Sequence, residues 1–235
     1  MINNQLIFDL KANISFDRRN FYVSNANKDT VQLLNSWPDW PTKSLAIIGP
    51  AGSGKSHLVS YWAEEAEAIV VKAQDILLAE VPTLSEYSAI VVEDCDKLHS
   101  NSRHTDCRKD REQAILHLLN LISQKLSYTV LTGSSFPAYW SIRLQDLASR
   151  IATFPVAELA VPGDELLMAV MLKQFEDRQI KVKPGLISFV CSRIDRSFEA
   201  VQEFVEGIDK FTLTEKREVT IPAASKVLKN LYAID

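Results

Sequence analysis

Gly49-Pro50-Ala51-Gly52-Ser53-Gly54-Lys55-Ser56 is the stretch that decides the fold. It matches the pattern G-x-x-x-x-G-K-[ST], a phosphate-binding loop. Ser44-Leu45-Ala46-Ile47-Ile48 precedes it and reads as a buried strand. A helix from about Lys55 to Ala66 follows, with Leu58, Val59 and Trp62 on one face. In this context the backbone N–H groups of Gly49, Gly52, Ser53 and Gly54 form an anion-binding nest, and the helix start adds its dipole. Lys55 reaches the β- and γ-phosphates and the Ser56 hydroxyl ligates Mg²⁺, with His57 beside them. The chain has only seven glycines, and three of them fall in this window. Glycine is spent where backbone turns sharply or comes close to a ligand.

Outward from the loop, short apolar runs alternate with helices. Ala68–Lys72, Ala89–Val92, Tyr128–Leu131 and Ile151–Val156 read as further strands. Residues 28–36 suit a helix that stops at Trp37-Pro38, and Ile115, Leu118, Leu119, Ile122 and Leu126 mark a strong amphipathic helix. Residues 99–112 are polar and read as a loop. Continuous apolar strands alternating with helices predict an α/β fold, a five-stranded parallel sheet covered on both faces. After Pro162-Gly163 the strand signal fades. Helices are expected at 164–178, 185–194, 197–211 and 222–232. The predicted organisation is a tail at 1–12, an α/β nucleotide-binding core at 13–161 and a small helical domain at 162–235.

Composition sets outer limits. At 235 residues, 46% apolar and 24% charged, the chain can fold without disulfides or a structural metal. The net charge of −4 offers no basic face, so sequence-specific DNA binding is not expected. No apolar run spans a bilayer and no secretory signal opens the chain, so no membrane association is expected. Three cysteines without a CxxC pair point to a reducing, cytoplasmic compartment. Cys95, His99, His104 and Cys107 offer four possible zinc ligands, but in an unfamiliar spacing, and read as parts of a solvated loop.

The strand Ile90-Val91-Val92 ends in Glu93-Asp94, which places two carboxylates where a nucleotide hydrolase holds Mg²⁺ and polarises water. The order of the acids, Glu before Asp, separates expected nucleotide binding from expected turnover, and a weak or conditional ATPase is the corresponding expectation.

With these motifs in place the chain resembles the DnaA-related AAA+ ATPases, and among them the short Hda-type members. Leu131-Thr132-Gly133-Ser134-Ser135 looks like the family's sensor-1 segment, which would put Ser134 or Ser135 at the γ-phosphate. Leu144–Arg150 looks like the segment ending in the arginine finger, and Asp195-Arg196-Ser197 like the sensor-2 start of a lid helix. Phe21-Tyr22-Val23 and Asn27 resemble the stretch that covers the adenine edge. Gln5-Leu6-Ile7-Phe8-Asp9-Leu10 resembles the peptide that docks on the DNA sliding clamp, with Gln5, Leu6, Phe8 and Leu10 as contacts. The resemblance implies an ADP- or ATP-binding regulator of replication initiation. It would use the clamp and DnaA as partners, act through Arg150 in trans and have the capacity to self-associate. Other readings are a DnaA-like helicase loader or anchoring factor, and a P-loop small-molecule kinase.

Overall fold

The computed structural model describes residues 15–16, 22–24, 27–98, 105–215 and 218–232. These fall in two compact units. One runs from Asn27 to Ala160; the other takes Val161 onward together with the described residues before Asn27.

In that second unit, β1 (Ser15–Phe16) and β2 (Tyr22–Val23) form a short antiparallel pair. The first unit opens with α1 (Lys28–Asn35) and β3 (Ser44–Ile48), followed by the phosphate loop and α2 (Lys55–Glu65). Next come β4 (Ile69–Lys72), a short helix α3 (Val81–Leu84) and β5 (Ala89–Glu93). The unit closes with α4 (Thr105–Lys125), β6 (Tyr128–Gly133), α5 (Gln145–Ile151) and β7 (Val156–Glu158).

β3 to β7 make a five-stranded parallel sheet in the order β4-β5-β6-β3-β7. Its inner strands carry the continuous apolar runs, and Ala46, Ile47, Ile90, Val91, Val92, Val130 and Leu131 are fully buried. In a sheet of this order the chain leaves β3 for the far edge and works back. The carboxyl ends of β3, β5 and β6 therefore share one rim, where ligands of open α/β sheets bind.

At the opposite, amino-terminal rim, Trp40 stacks on Trp62 with ring centroids 5.3 Å apart, and Trp37 and Tyr128 pack edge-on around them. Trp62 has no exposed surface and lies on α2, the helix that begins at Lys55. Trp62→Ala should destabilise the protein by roughly 3–5 kcal/mol. A denaturant melt that shifts by less than about 1 kcal/mol would show that the stack carries little of the core.

Two expectations need correction. The segment 99–112 is not a loop throughout, because α4 begins at Thr105. Its charged first turns look like a loop in sequence because Lys109 and Asp110 face solvent. The fifth strand is Val156–Glu158, not Ile151–Val156. Ile151 ends α5, and its apolar side chain and that of Phe154 are buried from helix and turn rather than from a strand.

The second unit holds α6 (Asp164–Asp177), α7 (Pro184–Cys191), α8 (Phe198–Glu215) and α9 (Ile221–Tyr232) around its own core. On α8, Val201, Phe204, Val205 and Ile208 form the fully buried stripe predicted from their spacing. Among the described residues no helix is long and apolar enough to cross a membrane.

Candidate functional site

The phosphate loop leaves β3 at Gly49, whose N–H donates to the Gly133 carbonyl at 3.2 Å. The Leu159 N–H donates to Ile48 at 2.7 Å, so the ends of β3, β6 and β7 are knitted directly beneath the loop. A side chain at Gly49 would collide with the Leu159 carbonyl and the Ser53 hydroxyl. Gly54 caps α2 in the left-handed region at φ 92°, which an L side chain rarely adopts. Gly52 has φ 69°, and Ser53 is buried with its hydroxyl unpaired.

Lys55 curls over this loop, donating to the carbonyls of Gly49 at 2.6 Å and Pro50 at 2.8 Å. Burial lowers its pKa from the ordinary lysine value; Asp96, Asp94 and Glu93 oppose that shift and Lys97 adds to it. Ser56 and His57 occupy exposed positions on the first turn of α2, and His57 packs edge-on against Tyr61. A strained glycine loop, an inward lysine and a helix start make a cradle suited to a phosphate chain.

β5 delivers Glu93 and Asp94 to the same rim, both half-buried. Asp94 sits in the left-handed region at φ 56°. Its N–H donates to the Thr132 hydroxyl at 3.1 Å, and its carboxylate pairs with Lys97 at 3.0 Å. Thr132 thus ties the acidic strand end to the sensor-like strand. Ser134, two residues further on, donates its hydroxyl to the Asp96 carboxylate.

Asp96 is a site residue that the sequence reading missed. It faces Lys55 electrostatically more strongly than Glu93 or Asp94 does. The acid-x-acid spacing after Glu93 was its available signal. Among the described residues no three His, Cys, Asp or Glu side chains converge as a metal site.

Arg150 lies in the last turn of α5 and donates to the Leu119 carbonyl of α4 at 3.3 Å. Val23 and Arg196 belong to the other unit. Val23 pairs with Ser15, and Arg196 makes a two-point ion pair with Asp164, Nε to Oδ1 and Nη2 to Oδ2, each 3.0 Å. Gln5, Leu6, Phe8 and Leu10 lie outside the described residues, as do His99 and His104 and the side chain of Cys107. Cys95 is not on a solvated loop: it is buried and donates to the Val92 carbonyl at 3.4 Å, and burial pushes its pKa far up.

Residues 164–228 match the family model described as Hda, lid domain. An uncharacterised protein of Haemophilus influenzae is 25% identical over 97% of this chain and 99% of its own length. The replication initiator DnaA of Aliarcobacter butzleri is 19% identical over 79% of this chain and 44% of its own length. The chain thus spans about half the length of the DnaA relatives it matches, from 44% to 54%.

Domain III of the Thermotoga maritima initiator DnaA shares the fold at a TM-score of 0.76 and 18% identity, over 90% of this chain and 95% of that domain. AMPPCP-bound DnaA of Aquifex aeolicus matches at a TM-score of 0.66 and 16% identity, over 90% of this chain and 68% of that one. With its phosphate loop and five-stranded parallel sheet the chain has the fold of DnaA domain III, and residues 164–228 are similar to the Hda lid domain.

Proposed function

We propose that this chain is a cytoplasmic, nucleotide-dependent regulator of chromosomal replication initiation. In this reading it docks on the DNA sliding clamp through Gln5, Leu6, Phe8 and Leu10 and stimulates ATP hydrolysis by DnaA. The observation that carries the reading is the pairing of an Hda-type lid with a core of DnaA shape and an arginine at the end of α5.

ADP or ATP would lie with its phosphates in the Gly49–Ser56 loop, where Lys55 exchanges two carbonyl acceptors for phosphate oxygens. Ser56, Glu93 and Asp94 would hold Mg²⁺, which neutralises phosphate charge when bound. The Ser134 hydroxyl, oriented by Asp96, would read the γ-phosphate. By the family resemblance, Val23 and Arg196 would be further nucleotide-binding residues, the latter now paired with Asp164. Arg150 would serve not this nucleotide but the ATP held by DnaA, where a guanidinium offsets charge developing in phosphoryl transfer.

Clamp docking is tested by retention on immobilised sliding clamp with ADP and with ATP. The Gln5→Ala, Leu6→Ala double variant should lose at least about tenfold in affinity, because a short extended peptide concentrates its binding in a few anchors. Unchanged retention of this variant would remove the clamp from the proposal and favour an adaptor that needs no such peptide.

A further inference from the structure

Resting on the reading of Arg150 as the residue presented to DnaA, we propose that Glu112 is the positioning residue that aims it. Glu112 lies on α4 and is 2% exposed, a buried carboxylate on an otherwise apolar helix face. Ionised groups are not buried without compensation. Part of the compensation comes from just before α5. One carboxylate oxygen accepts the Arg143 N–H at 3.1 Å; the other accepts Arg143 at 3.2 Å and Leu144 at 2.7 Å.

Leu144 is the N-cap residue just before α5, and its own side chain has no acceptor with which to cap the helix. Glu112 instead accepts the N–H of Leu144, one of the four unsatisfied donors at the start of the helix, from a different element, with its charge against the positive end of the helix dipole.

The other end of α5 is tied to the same helix. Arg150 donates to the carbonyl of Leu119, seven residues beyond Glu112 on α4. At 1.5 Å per helical residue the two anchor points are about 10 Å apart on α4 and about 9 Å apart on α5. Two tethers of matched spacing set both the position and the direction of α5.

Between them Leu147 and Ile151 pack into the cluster containing Ile115, Leu118 and Leu119. A seven-residue helix is too short to hold its shape alone, so these contacts determine where its last turn projects. Glu112 touches neither nucleotide in this scheme. It acts through α5, by fixing the place from which Arg150 extends.

The test compares the full chain with its Glu112→Ala, Glu112→Gln and Arg150→Ala variants, assayed with ATP-loaded DnaA and the sliding clamp on DNA. Three quantities are read: the maximal stimulated hydrolysis rate, the concentration giving half of it, and the Kd for fluorescent ADP. Glu112→Ala should lower the maximal rate at least about tenfold, since misplacing a catalytic group by about 1 Å has effects of that size or larger. Its half-saturating concentration and ADP Kd should stay within about twofold of wild type, the pattern of an interaction made only in the transition state. Glu112→Gln keeps an acceptor for the Leu144 N–H and should fall between.

Wild-type maximal rates for both Glu112 variants would overturn the proposal. So would equal losses of rate and ADP affinity, which would make Glu112 a prop of the fold only. If Arg150→Ala stimulates fully, the reading of Arg150 itself fails. If Arg150→Ala is inactive while Glu112→Ala is fully active, only the positioning role fails.

Discussion

Lys55→Ala should weaken binding of ADP and ATP at least about a hundredfold, roughly 2.7 kcal/mol, the scale of losing charge-assisted hydrogen bonds to phosphate. The lysine is held over the loop by two of the loop's own carbonyls, so its head already occupies the region that a phosphate chain would enter. Half-burial and three nearby carboxylates give it a defined electrostatic setting. Alanine removes the charge and leaves the loop glycines and the start of α2 in place. Titration with a fluorescent nucleotide measures the effect, and a thermal melt of the ligand-free variant checks that the fold persists. Lys55→Arg should also bind poorly, because a planar fork does not replace a compact ammonium in a tight loop. An alanine variant that binds within about threefold of wild type would mean that the loop is not the principal determinant of affinity.

Arg150→Ala should cost the largest factor of all, between about 10³ and 10⁵ in the stimulated rate of DnaA hydrolysis if the guanidinium acts as a finger in trans. The nucleotide Kd of the variant and its retention on the clamp should match wild type. A guanidinium carries five N–H donors. The bond to Leu119 uses one of them, at a length that a better acceptor would displace. Arg150→Lys should recover little, since an ammonium cannot reproduce the planar fork. Full stimulation by the alanine variant would place the activating group elsewhere.

Much of the core was legible because parallel strands buried on both faces must be continuously apolar. Ser44–Ile48 and Ala89–Glu93 announce themselves in this way. The phosphate loop was legible because its glycines answer to backbone geometry. What escaped the sequence depends on long-range partners. Glu112 reads as one more charge in a charged stretch until Arg143 and Leu144, some thirty residues later, fold onto it. Asp96 gains meaning only when Ser134 arrives from the neighbouring strand. The last strand was displaced because β7 lies at the sheet edge and buries only its middle residue, leaving a weaker pattern than the helix end before it.

All four tryptophans, at positions 37, 40, 62 and 140, belong to the unit from Asn27 to Ala160. Emission excited at the indole band therefore follows this unit alone, whereas far-ultraviolet dichroism sums the helices of both. Coincident transitions by the two probes would mean that the units unfold as one cooperative block, and separated transitions that the lid melts independently. Trp140 adds a local signal, because its indole lies on Gly133 and donates to the Ser135 carbonyl at 2.8 Å. It flanks Ser134 on both sides, so a change in its emission on adding ATP but not ADP would provide an optical readout of the sensor segment without any label.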